Sequence, residues 1–192
     1  NGAYPQAVEQ LFGFPVTGAL PALEFSGKQG PIKVRGKIDR LDRQDPNGVF
    51  GTIIDYKSNG KQFDWAQAFD GLQMQLLTYW QAVQKNAEAL GIEAIGGAFF
   101  AKIAPERRRI ADFKGDVDGG EAAQFYQLKK KKDGQLYANS DAVEADDFGL
   151  LLQHNAANIT QAGDRILGGE FPLLPTMGSL QYTPYTDILR FD

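Results

Sequence analysis

The chain alternates first and turns helical later. PIKVRGKIDRLD, residues 31–42, sets Ile32, Val34, Gly36 and Ile38 against Lys33, Arg35, Lys37 and Asp39, the period of a half-buried strand. QAVEQLFG (6–13) and ALPALEFSG (19–27) are short, apolar-rich and read as further strands. Asp45-Pro46-Asn47-Gly48 is a turn signal, and VFGTIIDYKS (49–58) is the returning strand. After a polar loop, NGKQFDW, with Asp64 as an N-cap, the period changes. Phe69, Leu72, Leu76, Trp80, Val83, Ala87 and Leu90 recur at intervals of 3, 4, 4, 3, 4 and 3, predicting one helix over about 65–90 that Gly91 stops. EAIGGAFFAKI (93–103) is almost continuously apolar, which predicts a central strand. Residues 104–143 are irregular and are expected to form a variable excursion. A second helix is predicted over about 144–168, with Phe148, Leu151, Leu152, Asn155, Ile159, Ala162 and Ile166 along one side and Gly168-Gly169 at its end. Strands, then helix, strand and helix predict an α/β or α+β domain with a mixed sheet.

The register of the hairpin brings chemistry into the pattern. A three-residue loop, Pro46-Asn47-Gly48, pairs residue 45 with 49, so residue i faces residue 94 − i and Asp39 falls opposite Asp55. Directly opposed carboxylates repel. Lys57 lies two residues beyond Asp55, on the same face of the strand. Two carboxylates with water suit an oxygen-ligated Mg²⁺, with the Tyr56 carbonyl as a further ligand and Mn²⁺ as a substitute. Such an ion polarises a phosphate and acidifies a bound water, while Lys57 would orient that water or offset charge on the phosphate. Without the ion the acids are expected to weaken the fold, so that replacing Asp55 by Ala relieves repulsion. Gln75 and Tyr79 are four apart on one helix face and are long enough to reach the same cleft.

Charge and composition narrow the reading. The chain has 192 residues and a net charge of −4, so contact with nucleic acid must come from local patches. The candidates are Lys61 and Trp65 in the polar loop, Trp65 by stacking on a base, and Lys129, Lys130, Lys131 and Lys132 in LKKKKDG. The lysine run and ERRR (106–109) read first as solvated turns, Glu9 as a solvated acid that could approach the site from its neighbouring strand, and His154 as a surface residue. There are no cysteines, which excludes disulfides, thiolate nucleophiles, zinc–thiolate sites and iron–sulfur clusters. A single histidine cannot build a multi-histidine site. No apolar run approaches the ~18 residues of a membrane span and no signal pattern opens the chain, so a cytoplasmic protein is expected. The abrupt start, NGAYPQ, suggests a piece of something longer.

GKIDRLD, IIDYKS and GLQMQLLTYW resemble, in order, the motifs of the RecB-like branch of the PD-(D/E)XK nucleases. Asp39 matches the first acid, Asp55 and Lys57 the acid-x-lysine pair, and Gln75 and Tyr79 the Q-x-x-x-Y helix. VEQLFG, the late helix and the closing RFD extend the resemblance to the nuclease domain of the B subunits of AddAB/RexAB helicase–nucleases. It implies a restriction-endonuclease-like core with a mixed β-sheet flanked by helices, as a single domain over 1–192. It further implies an ATP-dependent complex that processes double-strand-break ends for recombinational repair. In it a magnesium-dependent exonuclease degrades one strand of the unwound duplex. The implied partners are single-stranded DNA, the A subunit and the remainder of its own B subunit. The alternative is a non-catalytic module that clamps single-stranded DNA or braces the helicase. Two departures stand out. Leu180, Thr183 and Leu189 occupy positions where many of these subunits carry iron–sulfur cysteines, so the tail, 170–192, is expected to be held by packing of Phe171, Leu173, Leu174, Tyr182, Tyr185 and Phe191. The family's histidine on a helix before the first strand has no counterpart here, so weak cleavage by this chain alone is expected.

Overall fold

A computed structural model describes residues 4–44, 46–58, 62–102, 131, 132, 135 and 142–172. The elements are β1 (Tyr4–Phe12), β2 (Leu23–Ser26), β3 (Pro31–Val34), β4 (Gly36–Arg43), β5 (Phe50–Lys57), α1 (Trp65–Phe69), α2 (Gln75–Lys85), α3 (Ala87–Leu90), β6 (Ala94–Lys102) and α4 (Ala145–Leu167). The expected excursion at 104–143 lies outside the described residues except for 131, 132, 135, 142 and 143, as does the tail from 173 onward.

One sheet has the order β1-β4-β5-β6, with β1, β4 and β5 antiparallel and β6 parallel to β5; β2 and β3 form a separate two-stranded sheet. The alternating stretch 31–42 is therefore shared between two sheets, broken at Arg35. Gly36, the first residue beyond the break, has no room for a side chain: a Cβ there would meet the Phe12 ring at 2.8 Å. The apolar strand expected to be central, β6, is the last strand of the described sheet. Among the described residues only β5 flanks it, and Ile95, Ala98, Phe99 and Phe100 are half-buried. β4 and β5 are the central pair.

The predicted helix 65–90 is three helices. Asp64 does cap its start, accepting from the Ala66 and Gln67 amides. Gly71 then takes φ +74 and ends α1. The stripe residues Phe69 and Leu72 consequently stay 62% and 57% exposed, and the buried set of α2 begins at Leu76. A second break falls at Asn86, whose side-chain amide donates to the Ala82 carbonyl at 2.8 Å and caps α2. α3 ends at Gly91, as the pattern predicted. α4 spans nearly the predicted range, but only Asn155 and Ile159 of its stripe are buried. Phe171, expected to pack, is 73% exposed, just beyond the turn that closes α4.

The core joins the sheet to α2: Phe12, Ile38, Leu41, Ile53 and Val83 are fully buried, with Leu23, Tyr79, Ala82, Leu90 and Ile92 beside them. α4 is tied to α2 by polar contacts, Asn155 Nδ2 to Gln81 Oε1 at 2.8 Å and Gln81 Nε2 to the Leu152 carbonyl at 3.0 Å. Ile38, Leu41 and Ile53 of β4 and β5 pack with Tyr79, Ala82 and Val83 of α2, which seats the helix on the central hairpin.

Candidate active site

The β4–β5 hairpin keeps the register that its loop dictates: Arg40 pairs with Ile54, Leu41 with Ile53, Asp42 with Thr52 and Arg43 with Gly51. The ladder stops one pair short of Asp39 and Asp55. Instead, the Tyr56 N–H donates to Asp39 Oδ2 at 2.9 Å. The two strands thus part where the acids lie, and a side chain takes over a ladder hydrogen bond.

Asp55 is 1% exposed and fully engaged. Its Oδ1 accepts from Gln75 Nε2 at 2.8 Å, and its Oδ2 forms an ion pair with the Lys57 ammonium. Lys57 Nζ also donates to Gln75 Oε1 at 2.8 Å and lies 5.2 Å from the Phe100 ring centroid. The second Gln75 amide proton reaches the Tyr79 hydroxyl at 2.9 Å. One amide therefore joins a carboxylate, an ammonium and a phenol, and its three contacts fix which way it faces. The break at Gly71 makes this possible. It lets α2 begin at Gln75, which puts the positive end of that helix within one side chain of Asp55.

Tyr79 bridges site and core, packing edge-on against Phe12 at 6.1 Å. Burial raises its pKa; donation from Gln75 opposes this, and the Asp55 and Asp39 charges add to it. It stays a phenol, a donor and not a base. Asp39, Asp55, Lys57, Gln75 and Tyr79, five residues from three elements, converge as the sequence motifs suggested. The expectation that unrelieved repulsion weakens the metal-free site is not supported by this geometry. Lys57 and Gln75 satisfy Asp55, and the Tyr56 N–H satisfies one Asp39 oxygen.

Other candidates are dispersed. Glu9 is an exposed acid at φ +51 on β1, paired with Lys37 at 2.8 Å. Trp65 is 42% exposed and packs edge-on against Phe63 at 4.8 Å, beside an open cleft of about 540 Å³ lined also by Gln62, Gln67 and Gln73. Lys131 and Lys132 are exposed; Lys61, Lys129 and Lys130 lie outside the described residues. His154 is half-buried and not a plain surface residue: it stacks on Phe69 at 4.3 Å, and its Nε2 meets the Phe69 carbonyl at 2.7 Å. A carbonyl only accepts, so that nitrogen carries the proton.

On the opposite face of the hairpin is a group that the motif reading passed over. Arg40 Nε donates to Asp42 Oδ1 at 2.6 Å, and Arg40 Nη1 donates to the Tyr56 hydroxyl at 3.2 Å. The signal was present in GKIDRLD, where Arg40 and Asp42 are two apart, the same spacing that singled out Asp55 and Lys57.

Among the described residues no three His, Cys, Asp or Glu side chains converge as a metal cage. The donors available, two carboxylates and the Tyr56 carbonyl, are all hard oxygens. That set suits Mg²⁺, which binds through one or two carboxylates and keeps several waters.

A mixed sheet whose central hairpin presents Asp39, Asp55 and Lys57 to a helix carrying Gln75 and Tyr79 is the arrangement of a nuclease core. A profile of the PD-(D/E)XK nuclease superfamily matches residues 3–182, and the chain belongs to that superfamily. It is 58% identical over 224 aligned positions to a protein of Leuconostoc citreum named as the B subunit of an ATP-dependent helicase/deoxyribonuclease, a match covering 100% of this chain and 19% of that one. Proteins of the same name from Leuconostoc mesenteroides and Oenococcus oeni are 50% and 35% identical, again over 100% of this chain. The chain thus spans about a fifth of the length of the relatives it matches. No helix among the described residues is long and apolar enough to cross a membrane.

Proposed function

We propose that this domain is a metal-dependent deoxyribonuclease that hydrolyses phosphodiester bonds of single-stranded DNA within a helicase–nuclease complex. The observation that carries the reading is the closed contact set of Asp55, Lys57, Gln75 and Tyr79 beside Asp39. Structural ion pairs do not need a buried carboxylate, an ammonium, an amide and a phenol joined at the end of a splayed hairpin; buried, interlocked polar groups of this kind mark reactive sites.

Asp39, Asp55 and the Tyr56 carbonyl would hold Mg²⁺ or Mn²⁺. Such an ion, when bound, polarises the phosphate and lowers the pKa of a coordinated water. The side chains do the remainder. Lys57 places a fixed positive charge where negative charge develops on the phosphate oxygens and donates to the attacking water. Gln75 holds the Lys57 ammonium and the Asp55 carboxylate at a set separation, so neither must reorganise during the reaction. Tyr79, kept protonated by its surroundings, offers its hydroxyl as a hydrogen-bond donor to a phosphate oxygen. Trp65, with Phe63, offers a base a stacking surface one loop away, and Lys131 and Lys132 a phosphate-tracking charge.

The names of the relatives support placing the domain in the B subunit of a helicase–deoxyribonuclease; the role proposed for it there, processing double-strand-break ends for repair, rests on the motif resemblance alone. The test is cleavage of end-labelled single-stranded DNA by the full-length subunit in its complex, with Mg²⁺ and with chelator. Metal-dependent shortening that disappears in Asp55→Ala is expected. DNA binding with no cleavage in any divalent metal would leave only the clamping role.

A further inference from the structure

Tyr56 lies between the two reactive side chains of β5, with its own ring on the opposite face. Two grips converge on it. On the site face Asp39 Oδ2 accepts its N–H at 2.9 Å; on the far face Arg40 Nη1 donates to its hydroxyl at 3.2 Å. Arg40 is itself held, because its Nε donates to Asp42 Oδ1 at 2.6 Å and Asp42 is 1% exposed. The Asp42 Oδ2 atom is buried with no hydrogen-bond partner. A carboxylate buried in this way contributes little to stability, since desolvation offsets the pairing. What it does supply is a fixed direction for the guanidinium, whose planar fork can serve two acceptors at once.

We propose that Arg40, anchored by Asp42, is a positioning residue for the nuclease site: by holding the Tyr56 ring it sets the peptide planes that carry Asp55, the Tyr56 carbonyl and Lys57. This rests on the nuclease reading above. The ladder between β4 and β5 ends at Arg40 and Ile54, so the Asp55–Lys57 segment lacks the β4 hydrogen bonds that hold the rest of the hairpin. The Asp39 and Arg40 contacts replace them, one from each face. Its other edge stays paired with β6, Asp55 with Phe100, Tyr56 with Ala101 and Lys57 with Lys102, and a strand held along one edge can still rotate about that edge. A strand held from both faces cannot, and rotation is what would separate the Tyr56 carbonyl from the Asp39 carboxylate.

The test compares Tyr56→Phe, Arg40→Met, Arg40→Lys and the Phe/Met double variant in the full-length subunit within its complex. Tyr56→Phe removes one hydroxyl from a ring 38% exposed, so it leaves folding intact. Three quantities are read: kcat and KM on single-stranded DNA, Mn²⁺ affinity by calorimetry, and hydrogen–deuterium exchange of peptides covering 50–58 in the metal-free protein. Each single variant is expected to lower kcat about tenfold, at the low end for partners that orient a metal ligand, and to weaken Mn²⁺ binding, with KM within about twofold. The double variant should be no worse than the worse single, because both remove one contact. Arg40→Lys should not restore the rate, as one nitrogen on a flexible stem does not reproduce the separate, coplanar Nε and Nη1 donors that reach Asp42 and Tyr56. Exchange at 50–58 should quicken while 75–85 is unchanged. Wild-type values throughout for Tyr56→Phe would overturn the proposal. So would an Arg40→Met defect confined to KM and additive with Tyr56→Phe, which would make Arg40 a DNA contact. If the wild type cleaves nothing in any metal, the nuclease reading falls, and exchange at 50–58 still decides the brace.

Discussion

Removing Asp55 should destabilise the metal-free domain, the reverse of what opposed carboxylates alone suggest. In Asp55→Ala the Gln75 amide loses a charged acceptor at 2.8 Å, a contact worth about 1.5–3 kcal/mol. Lys57 loses its ion-pair partner. Stranding one member of a buried pair costs about 3–5 kcal/mol, but the Lys57 side chain keeps 22% exposure and its bond to Gln75 Oε1, so the lower half of that range is an upper bound here. Against these losses stand the relieved burial of a carboxylate and its distance-limited repulsion with Asp39. The net expectation is a loss of about 2 kcal/mol, or roughly 4–8 °C in Tm for a domain of this size. The assay is calorimetric melting of wild type, Asp55→Ala and Asp55→Asn in chelator, then with Mn²⁺. Wild type should rise with metal, by about 2.7 kcal/mol at a hundred times Kd, because the ion binds the folded state, and Asp55→Ala should not respond. An Asp55→Ala domain that melts at or above wild type in chelator would refute the reasoning about Lys57 and Gln75. One that binds Mn²⁺ as tightly as wild type would remove Asp55 from the ligand set.

Lys57→Ala should keep Mn²⁺ affinity within a few-fold yet lose at least about a hundredfold in kcat, since the ammonium acts on phosphate and water; calorimetry and single-turnover cleavage separate the two effects. Trp65→Ala should raise KM for single-stranded DNA about five- to a hundredfold with kcat unchanged, the worth of one stacked base, read from initial rates over a range of strand concentrations. With no cysteine in the chain, purified domain should be colourless and hold no stoichiometric iron, which elemental analysis of anaerobically prepared protein checks.

Much of the site was legible in the sequence because it depends on short-range rules. Strand period put Asp55 and Lys57 on one face, helix period put Gln75 beside Tyr79, and the turn at 46–48 fixed the register, which the observed pairs obey. Local chemistry also marked Asp64 as an N-cap and Gly91 as a helix end. What escaped were facts that belong to neighbours. The helical stripe runs through Gly71 and Asn86 without a gap, yet the chain breaks at both, and only packing against the sheet decides that Phe69 and Leu72 stay outside. The apolar β6 is the last strand of the described sheet, and its place there is a matter of partners, not of its own residues. The Arg40–Asp42–Tyr56 contacts needed the hairpin to be closed before three residues on its far face could meet. The sequence by itself determined which side chains share a face and in what order. Only the tertiary structure decided that the ladder parts at the acids and that α2 begins at Gln75, because both depend on distances between elements that no local pattern encodes.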